Sequence, residues 1–316
     1  MNGAALTLAQ RRVTEDLMAL GQPRPHFDPA AATDLRARTE EALAPLAEAL
    51  APDVLWLAKS GLAQVHACEA HYLAELGPLG PWSVAMAEGE VTHRAIQLSI
   101  AVDDTPIPLE LVDRAMAQLA ADEAGPLGSF LATLLPAGRA ELRAGAANGV
   151  ATFLECWPPI SPAWWPRTEL RVRADLCGGR VVLQGKIDLA LGRAVGTEAR
   201  CLFVDLKTGG RYPAHLDDLR FYALVQAIRI GVPPFRVASY YLDSASFHAE
   251  DVTPDTLEVA LRRTLDGARK MGELRSGQRQ AEVTPCPRCR YCRARSTCPG
   301  AGVWEERRQA EAGELA

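Results

Sequence analysis

The chain has 316 residues, 48% of them hydrophobic and 23% charged, with a formal net charge of −5. This is the balance of a globular protein that can bury a sizeable core as one large domain or two moderate ones. It argues against a chain-wide basic surface, so any nucleic-acid-binding charge has to be local. It also lacks an uninterrupted apolar run of about 18 residues, so no membrane-spanning helix is expected.

The first residues lack the basic-then-apolar order of a secretory signal, which predicts a cytoplasmic protein. In a reducing compartment, eight cysteines point to metal or redox use more than to disulfides. Residues 1–58 are rich in Ala, Leu, Glu and Arg and read as an N-terminal helical region, interrupted at Pro23, Pro25 and Asp28-Pro29. Asp28 reads as an N-cap followed by a first-turn proline. Ser60 reads as the cap of one helix running through Leu62, Val65, Cys68 and Tyr72 to Leu76, broken by the Gly/Pro stretch 77–81. A further helix is predicted to follow Glu88-Gly89-Glu90 and to carry His93, Ile96 and Ile100. Residues 101–165 read as a helical insertion that ends in an extended, proline-rich linker at 157–166.

Strand character begins at Glu169. Residues 169–174 alternate, Cys177-Gly-Gly-Arg180 reads as a hairpin turn, and Val181 to Leu189 is the return strand. A buried strand at 201–207 ends in a glycine turn; a helix at 216–230, a strand at 236–242 and a long helix capped by Thr253-Pro254 follow. The end of the chain holds a cysteine cluster at 286–298 and a polar tail at 301–316.

Strands send alternate side chains to opposite faces. Leu202, Val204 and Leu206 therefore share one face, and Phe203, Asp205 and Lys207 the other. On the return strand Gln184, Lys186 and Asp188 point one way, Ile187 and Leu189 the other. If the two strands are neighbours, Asp188 and Asp205 converge. Two close carboxylates repel unless a cation joins them, and oxygen ligation suits Mg²⁺ or Mn²⁺. Lys207 would face the same point, and Glu169 on the partner strand could add a carboxylate. An edge strand with two solvated charges is the alternative.

Cys286, Cys289, Cys292 and Cys298 lie within thirteen residues. Such spacing binds metal, either as a zinc knuckle or as an iron–sulfur cluster. From Leu261 to Cys298 there are ten Arg or Lys against three acids, 10 − 3 = +7, which suits phosphate-backbone contact without sequence readout. Tyr291 among these arginines could stack on a base. No Walker A motif occurs, so no ATP-driven motor is encoded here.

Gly185-Lys-Ile-Asp188 and Asp205-Leu-Lys207 resemble the second motif and the D-x-K of the PD-(D/E)xK nuclease superfamily. Gly89-Glu-Val-Thr-His93 resembles the G-x-x-x-H of its RecB-like exonuclease branch. Asp218-Leu-Arg-Phe-Tyr222 stands where that branch has Q-x-x-x-Y, with Asp218 a departure. Ser60-Gly-Leu62 with Cys68 resembles the branch's S-x-L…C-P opening, Glu69 departing from the proline. Cys289, Cys292 and Cys298 resemble the C-x-x-C-x5-C of AddB-type helicase–nuclease subunits and CRISPR-associated exonucleases.

The resemblance implies an α/β, restriction-endonuclease-like mixed central sheet flanked by helices, with a nuclease domain at 59–300 after the helical region. It implies Mg²⁺ or Mn²⁺ held by Asp188, Asp205 and the Leu206 carbonyl with His93 contributing, water positioned by Lys207, and Tyr222 beside the site toward DNA phosphate. It implies a 4Fe–4S cluster on Cys68, Cys289, Cys292 and Cys298; a local site using Cys286, or Zn²⁺, is the alternative. Cys156, Cys177 and Cys201 are then structural. The expected activity is exonuclease hydrolysis of DNA ends or single strands in repair, recombination or mobile-element defence, with a helicase or CRISPR or repair proteins as partners. A non-catalytic iron–sulfur DNA-binding subunit is the rival, against which the intact Asp188, Asp205 and Lys207 speak.

Overall fold

The fold is organised on one long strand, β3 (Val181–Leu191), in a six-stranded mixed sheet. The structure, a computed structural model, describes residues 5–77, 80–101, 106–212 and 214–314. Residues 78–79 of the expected helix break, 102–105 of the expected insertion and 315–316 of the expected tail lie outside the described residues.

β2 (Arg167–Leu176) runs antiparallel along one edge of β3, from Leu176↔Val181 to Arg167↔Ala190. The hairpin turn falls at 177–179 as expected, with Gly178 and Gly179 at φ of +66° and +86°, where glycine carries no side-chain clash. The opposite edge of β3 is shared by two strands. β1 (Leu55–Leu57) runs parallel to its beginning, Leu55↔Val181 to Leu57↔Leu183. β4 (Leu202–Lys207) runs antiparallel to its end, Leu191↔Leu202 to Leu189↔Val204. The C-terminal ends of β1 and β4 thus face each other across an open stretch of β3 at residues 184–188. β5 (Arg236–Tyr241) continues the sheet parallel to β4, and β6 (Ser246–Asp251) closes it antiparallel to β5.

Helices cover both faces. One core holds side chains of α2 (Pro29–Ala49), α3 (Lys59–Ala67), α4 (Glu69–Ala74), α9 (Ala214–Ile230) and α10 (Pro254–Arg275). The other holds those of α5 (Val84–Ile100), α6 (Pro108–Ala120), α7 (Pro126–Thr133) and α8 (Pro136–Cys156). Val13 and Leu17 of the π-helical turn that continues α1 (Leu8–Arg12) join this second core. Two of the expected caps form: Asp28 Oδ1 accepts from Ala30 N at 2.9 Å, and Thr253 Oγ1 accepts from Thr256 N at 3.2 Å. Ser60, the third, lies inside α3, which starts at Lys59 after Ala58 with no side-chain cap.

The region 101–165, expected as a helical insertion, holds α6, α7 and α8 and packs on the sheet: Leu111, Val112, Leu142, Ala146 and Val150 share one core with Leu189, Val204 and Leu206. The boundary expected at 58/59 falls just after β1, which belongs to the sheet. Several expectations are corrected. The single helix expected from Ser60 to Leu76 is two, α3 and α4, broken at Cys68, whose φ of −165° and ψ of 119° are extended. Helix α5 starts at Val84, capped by Ser83, so Gly89 is interior to it rather than a start signal. The proline-rich linker includes a 3₁₀ turn at Pro162–Trp164. The tail forms α11 (Pro299–Glu314), which Pro299 starts and whose Ala, Glu, Arg and Gln content favours helix.

The strand alternation on β3 also slips. Ile187 and Leu189, expected on one face, lie in opposite cores, and Ala190 returns to the core of Ile187. The slip falls at Asp188. Opposite it on β2, Glu169 has φ of +51°, and the ladder skips that pair between Thr168↔Leu189 and Leu170↔Ile187. Such local bulging re-aims side chains.

Gly185 explains itself in the open stretch. A Cβ there would lie 2.1 Å from Cε1 of Tyr222, whose ring packs flush on the strand. Gly185→Ala is expected to destabilise the protein by about 3 kcal/mol through overpacking, read as a lower urea midpoint at unchanged slope. Tyr222→Leu introduced alongside it should recover part of the loss.

Candidate active site

The site lies where the shared edge of β3 falls open. Pairing between β3 and β4 ends at Val204, which leaves the next backbone N–H of β4 without a ladder partner. The Asp188 carboxylate takes that place, its Oδ2 accepting from Leu206 N at 2.8 Å. Its other oxygen, Oδ1, is 3.5 Å from Nδ1 of His93, which α5 projects from the far layer. His93 Nε2 donates to the Leu206 carbonyl at 3.1 Å. Glu169, turned by its left-handed backbone, completes the group, and Lys186 forms an ion pair with it.

Ligand atoms of His93, Glu169 and Asp188 all lie within 4.8 Å of one another. One imidazole nitrogen and two carboxylates, with the Leu206 carbonyl alongside, form a donor set that fits Mn²⁺ or Mg²⁺. Burial opposes charge on His93, but Asp188, Asp205 and Glu90 together outweigh it and raise the imidazole's pKa. The acids around the ring thus favour its charged form against the cost of burial.

Asp205, expected among the cation ligands, is turned elsewhere. Only 1% exposed, it receives Lys59 Nζ on Oδ1 at 2.9 Å and the Lys207 ammonium on Oδ2. Burial opposes its charge, yet the two lysines outweigh it and pull its pKa below the ordinary range. The sequence reading missed Lys59. Its signal was a lysine in the first turn of a helix, where the macrodipole disfavours a cation, placed directly after a strand. Lys59 Nζ also sits 5.2 Å from the centre of the Tyr222 ring. Tyr222 is beside the site as expected, but at 1% exposure it supports the site from below and offers no surface toward DNA. Burial pushes its hydroxyl up to about 12. Asp218, one turn earlier on α9, is half-buried, and burial raises its pKa to about 6 despite the nearby lysines.

The cysteines gather far from this site. Cys68, Cys286, Cys289, Cys292 and Cys298 line one closed cavity between α4 and the segment after α10. Thr284 N donates to Cys68 Sγ at 3.4 Å, and Cys286 N to Cys289 Sγ at 3.4 Å. Burial raises the thiols of Cys286 and Cys292, so thiolates there call for a cation. All five cysteines are free, and the cavity brings the expected ligands and Cys286 together without choosing among them. Cys156, Cys177 and Cys201 lie outside it.

Glu69, the departure from the family's proline, fastens this segment. Its carboxylate accepts two bonds from Arg279, at 2.5 and 2.7 Å, and one from Glu282 N at 3.0 Å. Arg279 holds the carboxyl below its usual range. At the other end of α4, Glu75 pairs with Arg293 at 3.2 Å.

The expected basic patch is largely spent inside the protein. Arg263, Arg269, Lys270, Arg275, Arg279, Arg293 and Arg295 all form ion pairs, several with acids distant in sequence: Asp217, Asp53, Glu69, Glu75 and Glu305. A count over one stretch of sequence could not see those partners. Tyr291 does stand out, 76% exposed with Arg290 over its ring.

A mixed sheet with this donor set at its fork provides a place for a divalent cation. The family model described as the PD-(D/E)XK nuclease superfamily matches residues 57–299, and the chain belongs to that superfamily. A crystal structure of a "Putative exonuclease" from Eubacterium rectale is similar at 15% identity, covering 75% of this chain and 88% of that one, with a TM-score of 0.48. No curated protein matches the chain. Among the described residues, no helix is long and apolar enough to cross a membrane.

The raised pKa of Asp218 means that its ionised form is the unfavourable one in the fold. Asp218→Asn should therefore leave stability unchanged below about pH 4, the ordinary aspartate pKa. Its stabilising effect should grow between about pH 4 and 6 and be full above that. Urea midpoints of both proteins across this range, without divalent metal, check it; a difference that shrinks as pH rises would contradict it.

Proposed function

We propose that this protein is a Mg²⁺- or Mn²⁺-dependent DNA exonuclease of the RecB-like branch, hydrolysing phosphodiester bonds at DNA ends or in single strands. The observation that carries this reading is the convergence of His93, Glu169, Asp188 and the Leu206 carbonyl beside the Asp205–Lys207 pair at one open strand edge. A divalent cation held by this set would polarise a phosphoryl oxygen and acidify a water. Asp188 and Glu169 would hold that cation, with His93 adding a nitrogen and Asp205 an oxygen once a lysine releases it. Lys207 orients the attacking water and offsets the charge gathering on the phosphoryl oxygens. The water gives up a proton to solvent as its oxygen attacks in line; the new P–O bond forms as the bond to the leaving oxygen breaks, and that oxygen takes a proton from solvent.

On end-labelled single-stranded DNA with Mn²⁺, wild type should shorten the strand progressively. Lys207→Ala and Asp188→Asn should each reduce the rate by about 10²-fold or more. A wild type as inert as Lys207→Ala, with DNA binding intact, would replace this reading with that of a non-catalytic DNA-binding subunit.

The gathered cysteines support a second metal centre, a 4Fe–4S cluster on Cys68, Cys289, Cys292 and Cys298. It would join α4 to the end of the chain and stabilise the fold. Anaerobically purified protein should be brown and contain iron and sulfide. Cys68→Ser and Cys298→Ser should lose both and melt earlier, whereas Cys286→Ser should keep them. Stoichiometric zinc in colourless wild-type protein would overturn the cluster assignment in favour of a zinc site.

A further inference from the structure

Two lysines hold one carboxylate at the fork, and one of them, Lys59, belongs to none of the motifs above. Lys59 comes from the start of α3, just past the C-terminal end of β1, and Lys207 from the end of β4. Because those strand ends meet head to head along β3, the two ammonium groups reach Asp205 from opposite sides. Lys59 takes Oδ1 and Lys207 takes Oδ2, so both oxygens carry a positive partner. Lys59 is the more accessible of the two, its side chain 29% exposed against 19% for Lys207.

A surface lysine would gain little from such a pair. Here the carboxylate is buried and the ammonium extends over the Tyr222 ring, an arrangement that fixes a cation at the mouth of the site. Asp205 can offer an oxygen to a divalent cation beside His93, Glu169 and Asp188 only if one ammonium withdraws. Lys207 is tied to Asp205 by their shared strand, two residues apart on one face. Lys59 approaches from another element and has solvent beside it.

We propose that Lys59 is a second active-site lysine: it occupies Asp205 in the metal-free protein, yields that oxygen when a divalent cation enters, and turns its ammonium to the phosphate at the cleavage site. This inference rests on the nuclease reading. Lys59 thereby links the two binding events. It competes with the cation for Asp205, and once displaced it supplies a positive charge opposite Lys207 for the substrate's phosphoryl oxygens.

The test uses full-length protein and separates metal binding from turnover. Mn²⁺ affinity is read by electron paramagnetic resonance without DNA, and turnover on labelled single-stranded DNA at saturating Mn²⁺. Lys59→Met keeps the aliphatic stem and removes the competing charge. It should bind Mn²⁺ about tenfold more tightly than wild type, as expected for loss of a like charge a few ångströms away. Its kcat/KM should nevertheless fall about 10²-fold, the scale of one transition-state charge contact. Tighter metal with slower turnover is a pairing that general damage to the site does not produce. Lys59→Arg, which keeps the charge, should bind Mn²⁺ as wild type does. If Lys59→Met disturbs folding, Lys59→Gln must show the same opposed shifts. A wild type that binds Mn²⁺ and cleaves DNA, with neutral Lys59 variants unchanged or weakened in Mn²⁺ affinity, overturns the inference alone. A wild type that neither binds Mn²⁺ nor cleaves DNA overturns the nuclease reading as well.

Discussion

The hydrogen bond from Leu206 N to the Asp188 carboxylate is the constraint on which the site depends. Backbone donors buried in a sheet must find acceptors. When β4 leaves β3 after Val204, a side chain of β3 has to supply the acceptor that the ladder no longer gives. That substitution keeps the two strands apart without leaving an orphan group. It also fixes one carboxylate oxygen, leaving the other toward His93 and Glu169. The slip in alternation at Asp188 and the left-handed backbone of Glu169 are the local distortions that let both acids face one point.

Charge balance around the fork follows from burial. A carboxylate as enclosed as Asp205 needs positive partners, and two strand ends supply them. Under it the sheet is closed by α9, whose Asp218, Tyr222 and Gln226 recur at one-turn spacing on a single side of the helix. Gly185 and Tyr222 are two halves of one contact: the missing side chain on the strand admits the ring. The glycine of the second motif is thus explained by packing, while the aspartate three residues later is explained by the site.

The cysteine segment acts on the same architecture from a distance. Residues 279–298 return from α10 to lie on α4, held at one end by Glu69 and Arg279 and at the other by Glu75 and Arg293. Cys68 stands at the break between α3 and α4, so the segment bears on the helix pair whose first turn carries Lys59. The thiols are brought together by these ion pairs and by backbone N–H bonds to the sulfurs of Cys68 and Cys289.

The sequence by itself determined what is local. Period-two alternation in 169–174 and 181–187, the glycine turn, the caps at Asp28 and Thr253, and the two charged strand ends follow from side chains within a few residues of one another. The candidacy of Asp188, Asp205, Lys207, His93, Glu169 and the cysteines likewise rests on residue type, spacing and resemblance, but where each carboxylate points does not. Only the tertiary structure decided what depends on partners far along the chain. β1 is three residues long and shows no pattern, yet its parallel pairing with β3 puts Lys59 on Asp205, 146 positions away. The helices of 101–165 look self-sufficient in sequence, but their apolar sides are a face of the main core. The arginines after 261 read as free charge because the acids that neutralise them lie elsewhere in the chain. Hydrophobic period and capping are short-range and can be read in order. Strand-edge sharing and ion pairing are set by which elements meet, and that is fixed only when the whole core closes.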